Sequence, residues 1–144
     1  MNIANVLAVK GPKVVTIDPE QTIRQALTLL AQHNIGALVV VGDSGLPVGI
    51  LSERDIVREA ARNEGVFALL VSSIMTRRVI IGTPQDDLVS VASTMTEQRI
   101  RHLPIADGGR LVGMVSIGDI VKAHRKELQG EVDTLQTQLL EGRA

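Results

Sequence analysis

Two short stretches, "GILSERDIV" at 49–57 and "GMVSIGDIV" at 113–121, place a serine and an aspartate three residues apart where an apolar run passes into an apolar helix start. As local structure, Ser-x-x-Asp at such a junction is a capping box. Ser52 or Ser116 caps the helix, and Asp55 or Asp119 takes its third position, near the positive end of the dipole. As chemistry, the same carboxylate can accept two hydrogen bonds from a vicinal diol, the group a ribose presents. The free N–H groups of the adjoining helix start suit the phosphate of the same molecule. Capping and diol binding do not compete. Capping alone would take glutamate or glutamine as readily, so aspartate in both places favours a bound ligand.

The elements that must position these residues come as a repeat. Pro19 matches Pro84, Ile35 matches Ile100 and Leu38 matches Leu103, each 65 apart; Gly49 matches Gly113, Ser52 matches Ser116 and Asp55 matches Asp119, each 64 apart. The offset changes inside a loop, where "VGDSGLPVG" (41–49) and "ADGGRLVG" (106–113) read as the turns of two β-hairpins. Ahead of each hairpin the apolar residues fall at helical spacing: Ile23, Ala26, Leu27 and Leu30, then Leu88, Val91, Ala92 and Met95. Pro19 and Pro84 stand before these helices, where proline is tolerated. Short apolar strands, "KVVTI" at 13–17 and "RVIIG" at 78–82, come earlier still.

Each copy therefore reads β-α-β-β-α, an α/β unit with too few elements to cover its own sheet, so the two copies are expected to pack on each other. The chain divides into residues 1–66 (first repeat with an N-terminal segment), 67–126 (second repeat) and 127–144 (a C-terminal amphipathic helix). The N-terminal "NIANVLAV" is expected to form a short helix covering an edge. In the C-terminal segment Leu128, Val132, Leu135 and Leu139 form an a/d stripe two heptads long, suited to docking on a partner subunit or on its own chain.

Composition narrows the function. At 15.4 kDa, with 44% apolar and 22% charged residues, the chain is expected to fold as one cooperative soluble unit. A net charge of −1 with no basic run gives nucleic acid no footprint. The longest apolar runs are strand length, well short of the roughly 20 residues of a membrane span, and the N-terminus lacks the pattern of a secretory signal. The cytoplasm is the expected location. There is no cysteine, so thiol catalysis and disulfides are out. Phe67 is the only aromatic side chain, so a bound base must lie between aliphatic side chains and backbone.

The tandem βαββα units, the endings at 50–56 and 114–120, and "RIRHLPIADGGRLVG" at 99–113 resemble a CBS domain pair (a Bateman module), over roughly residues 8–125 and in its stand-alone bacterial form. The resemblance implies two repeats packed sheet to sheet with pseudo-twofold symmetry, leaving two clefts for adenosine-containing ligands: AMP, ADP, ATP, NAD or S-adenosylmethionine. Carried over by position, Asp55 and Asp119 are the ribose ligands, with Ser52 and Ser116 beside them. Thr16 and Ile17, and Ile81 with Thr83, flank the adenine. So do Gly36 and Ala37 in "IGAL", and Ile100, Arg101, His102 and Leu103 in "IRHL", with Pro104 following. The copies differ in charge: Arg54 stands where copy two has Gly118, and Arg101 and His102 stand where copy one has Gly36 and Ala37. Such cations meet phosphates, and arginine does so in bidentate fashion. Because Arg101 and His102 lie in copy two, the tighter cleft is expected at Asp119.

A histidine near acids also suits a general base, but His102 has no nucleophile beside it, and no metalloprotease or P-loop pattern is present. His33 and His124 sit in helical stretches. The chain is therefore expected to bind rather than catalyse, with no metal site, as a homodimer that forms a flat disc and regulates a separate protein. The alternative is a structural dimerisation adaptor that uses the caps only as caps.

Overall fold

Helix starts in this chain are written by side-chain caps. Thr22 closes a capping box with Gln25 and opens α2 (Ile23–His33), and Asp87 caps α5 (Leu88–Gln98). The computed structural model describes residues 1–142. Before α2 come α1 (Ile3–Lys10) and the two-residue strand β1 (Thr16–Ile17); after it come the hairpin β2 (Ala37–Val41) and β3 (Pro47–Ser52), then α3 (Glu53–Ala60). A 3-10 turn (Val66–Ala68) and the single-turn α4 (Val71–Ile74) form the linker. After α5 the second hairpin, β4 (His102–Asp107) and β5 (Arg110–Ser116), leads into α6 (Ile117–Leu140). None of these helices is long and apolar enough to cross a membrane.

In the first repeat β1 pairs parallel with β2, which pairs antiparallel with β3. In the second repeat the expected strand over 78–82 shrinks to one parallel bridge, Gly82 to Ile105. The cause lies in the partner strand. The Val39 N–H donates to the Val15 carbonyl at 3.2 Å, but the residue in Val39's place in copy two is Pro104, which has no N–H to give. Gly82 still donates to the Pro104 carbonyl, and Ala106 donates back to Gly82, each at 2.9 Å. Gly82 approaches closely because it has no side chain; a Cβ there would lie 2.9 Å from Leu103 Cδ2.

Three apolar clusters hold the fold. One, with Ile23, Leu30, Leu38 and Leu51, fills the first repeat, and a second, with Leu88, Met95, Leu103 and Val115, fills the second. Ala37, Val39 and Met114 form the third, the seam where the two sheets meet. Their 0–8% exposure marks it as dry.

Each core is closed by an arm from elsewhere in the chain, and the arms are exchanged. The linker closes the first core through Val66, Val71 and Met75. The N-terminal segment forms the expected helix, but α1 closes the second core, through Ile3 and Val6, rather than joining the repeat next to it in sequence. The backbone bonds correspond one for one. Val71 donates to Gln21 and Ser72 to Pro19; Ile3 donates to Asp86 and Ala4 to Pro84. Met75 packs where Gly49 leaves room, and Leu7 where Gly113 does.

The C-terminal segment differs from a separate helix beginning at 127. It continues α6 without a break from the Ser116 cap, and Leu128, Val132, Leu135 and Leu139 are all about half exposed along it. Residues 143 and 144 lie outside the described part of the segment.

Candidate functional site: a cleft between the repeats

Both Ser-x-x-Asp junctions fold as capping boxes. The Ser52 N–H donates to Asp55 Oδ2 at 2.9 Å, and the Asp55 N–H donates to Ser52 Oγ at 3.2 Å. In the second copy the Ser116 N–H donates to Asp119 Oδ2 at 2.8 Å, and the Asp119 N–H donates to Ser116 Oγ at 3.1 Å. The hairpin register places each box beside the strand that crosses the seam, with Ala37 opposite Ser52 and His102 opposite Ser116.

Asp55 opens onto a cleft of about 660 Å³, a volume in the range of small-molecule sites. Its walls come from both repeats. Ser52, Arg54 and Asp55 with Arg58 line one side; Thr76, Arg78 and Ile80 arrive from the linker; Arg99, Ile100, Arg101 and His102 come from the turn between α5 and β4. Gly36 and Ile50 complete the floor. Arg101 and His102 thus share a cavity with the carboxylate of the other repeat, Asp55. Pseudo-twofold packing sets the α5–β4 turn of one repeat against the helix start of its neighbour.

Five arginines line this cleft against two carboxylates, Asp55 and Glu53, and none of the five guanidinium groups forms an ion pair among the described residues. Arg99 is held there at a conformational cost. It ends α5 in the left-handed region, with φ 55°, at the position where Asn34 ends α2 with φ 51°. Asparagine tolerates that conformation better than a long side chain does. His102 sits at the seam, its Nε2 3.7 Å from where a Cβ on Gly36 would lie. Its pKa is lowered, first by burial and then by Lys10, with Asp119 and Glu53 opposing.

The second junction holds a different partner. Lys10, at the end of α1, donates from Nζ to Asp119 Oδ2 and to the Met114 carbonyl, each at 2.6 Å. Burial works against the Asp119 charge, but the Lys10 and Ser116 hydrogen bonds outweigh it and the pKa is lowered.

The remaining sequence candidates lie outside the open cleft. Ile17 and Leu103 turn into the two cores and Ala37 into the seam, while Pro104 is buried in β4. Thr16 and Ile81 are exposed, and Thr83 is tied to Asp86 through both its N–H and its hydroxyl. Lys10, Glu53, Arg58, Arg78 and Arg99 are the charged groups missed in the sequence. Lys10 and Arg78 had a signal: they are 68 apart, the spacing of Leu7 and Met75. Phe67, under Arg24 at 4.8 Å from its ring centre, lines no part of the cleft. No cluster of three or more metal-ligating side chains occurs among the described residues.

Two repeats joined at a buried apolar seam, each opening a helix with a Ser-x-x-Asp capping box, define a tandem-repeat module. The CBS domain profile matches residues 8–62 and again 71–126, and the chain belongs to that family. It is 37% identical over 108 residues to the CBS domain-containing protein YhcV of Bacillus subtilis, covering 75% of this chain and 76% of that one. Among solved structures, the CBS-domain containing protein ATU1752 of Agrobacterium tumefaciens superimposes with a TM-score of 0.81 at 37% identity, over 86% of this chain and 99% of the other. The CBS domain pair of protein MJ0100, in complex with 5'-methylthioadenosine and S-adenosyl-L-methionine, gives 0.78 at 28% identity, over 88% and 98%.

Proposed function

We propose that this chain is a regulatory module that senses an adenosine nucleotide such as AMP, ADP, ATP or NAD in the cleft at Asp55. The observation that carries the reading is the pairing, in one cavity, of a helix-start carboxylate with five arginines that have no ion partner among the described residues. Asp55 keeps Oδ1 and a lone pair of Oδ2 for a ribose diol. The guanidinium groups meet phosphate oxygens at close range, and Ile50, Ile80 and Ile100 offer the base an aliphatic wall. The adenosine-type ligands in the MJ0100 structure support the ligand class. The charge of this cleft turns the choice from cationic S-adenosylmethionine toward phosphorylated ligands. Ser52, Arg54, Asp55, Arg101 and His102 are the binding residues, and no catalytic role is assigned to any of them. The chain works as a cytoplasmic homodimer, supported by the half-exposed stripe on α6, and light scattering should report twice 15.4 kDa.

A thermal-shift panel of AMP, ADP, ATP, NAD and S-adenosylmethionine tests the reading. A ligand at 100 times its dissociation constant adds about 2.7 kcal/mol, and each kcal/mol is worth roughly 2–4 °C for a chain of this size. At least one phosphorylated member should raise the melting temperature by about 5–10 °C. Both capping boxes are complete in hydrogen bonds between protein groups, so a panel with no shift at millimolar concentration would leave the structural adaptor as the function.

A further inference from the structure

The two Ser-x-x-Asp junctions are related by the fold, but Lys10 treats them differently. Asp119 Oδ2 accepts from the Ser116 N–H at 2.8 Å and from Lys10 Nζ at 2.6 Å, which uses both lone pairs of that oxygen. Only Oδ1 remains, so the arrangement that Asp55 leaves open, with one diol hydroxyl on each carboxylate oxygen, is blocked at Asp119. The ammonium is fixed from a second side by the Met114 carbonyl at 2.6 Å. Its stem leaves the end of α1, which is itself anchored by Ile3 and Val6 in the second core and by Leu7 at Gly113. The corresponding arm of the first repeat ends in Arg78, which lines the open cleft and forms no ion pair among the described residues. The exchange of arms thus delivers a cation to each cleft: Arg78 stands in the cavity wall, while Lys10 sits on the carboxylate.

We propose that Lys10 closes the Asp119 cleft as a tethered cation occupying the diol position, so that each chain takes one nucleotide, at Asp55, and Lys10 sets that stoichiometry. The proposal rests on the nucleotide reading above and adds the regulation of its second site. Calorimetric titration of the full chain with ATP tests it. The natural protein should bind one ATP per chain. Lys10→Met, which keeps the aliphatic stem and removes the ammonium, should bind two, and Lys10→Met combined with Asp119→Ala should return to one. Lys10→Ala serves as a second opening variant. Lys10 is partly exposed and outside both cores, and melting curves check that every variant is folded. Two ATP per chain in the natural protein, or one in both Lys10 variants, overturns the closure and leaves nucleotide binding standing. No binding by any of them overturns both.

Discussion

Asp55 and Asp119 occupy the same place in two capping boxes of closely matched geometry, yet one faces a cavity lined with five arginines and the other holds an ammonium at 2.6 Å. The difference comes from what the fold brings to each junction. The linker arm ends in arginine and the N-terminal arm in lysine; the α5–β4 turn carries Arg99, Arg101 and His102 to one junction, where the α2–β2 turn has Asn34, Gly36 and Ala37. A repeated motif fixes a local structure, and the non-repeated residues packed against it decide what that structure can bind.

The largest way to break the comparison is to remove the carboxylates singly. Hydrogen bonds to a charged group are worth roughly 1.5–3 kcal/mol each. Loss of the diol pair in Asp55→Ala should therefore weaken ATP binding by at least about a hundredfold, while Asp119→Ala changes it little. This reverses the ranking expected from the sequence, which joined Arg101 and His102 to the aspartate of their own copy. Calorimetry at a temperature where both variants are folded decides between the two rankings.

The arms give a second contrast. A Cβ on Gly49 would lie 3.0 Å from the Thr76 backbone oxygen as well as 2.6 Å from Met75 Sδ, whereas one on Gly113 meets only the flexible end of Leu7, at 2.7 Å. Gly49→Ala should cost about 1–3 kcal/mol, as overpacking does, and Gly113→Ala should cost less, since Leu7 can move. Chemical denaturation of the two variants checks the order.

Arg99 and Asn34 make a finer pair. Arg99→Asn places in the second repeat the residue that the first uses at the same left-handed position. It should stabilise the protein by up to about 1 kcal/mol while weakening ATP binding several-fold, a gain in melting temperature coupled to a loss of affinity.

The pH dependence of His102 is the smallest effect. Its folded pKa lies below the ordinary 6.5, so the unfolded chain takes up protons that the folded chain refuses. Stability is then undiminished above about 6.5 and is lost as pH falls from there toward the lowered folded value. His102→Gln should flatten that part of the melting profile. ATP should do so too, by placing phosphate where an imidazolium is favoured.

Much of this architecture was legible because the repeat is carried by side chains with a local job. Helical spacing and caps gave α2 and α5, and Asp/Gly turns gave both hairpins. Pro104 shows how a single residue escapes such reading: it fits the hairpin pattern while removing the donor that lengthens the first repeat's parallel pairing. The exchanged arms escaped for a different reason. A pattern read along the chain assigns a segment to its neighbour, but α1 finds its apolar partners in the second repeat, and Lys10 travels with it. Arg58 and Arg99 carry no spacing signal of their own, and Arg78 shows one only once the two arms are matched; the packing of the repeats gathers all three around Asp55.

The most direct test of the central claim is a crystal structure of the protein grown with ATP. One nucleotide per chain is expected, its ribose diol on Asp55 and its phosphates among Arg54, Arg58, Arg78, Arg99 and Arg101, with Lys10 still on Asp119. A nucleotide whose ribose lies on Asp119, with Lys10 turned away and the Asp55 cleft empty, would contradict it.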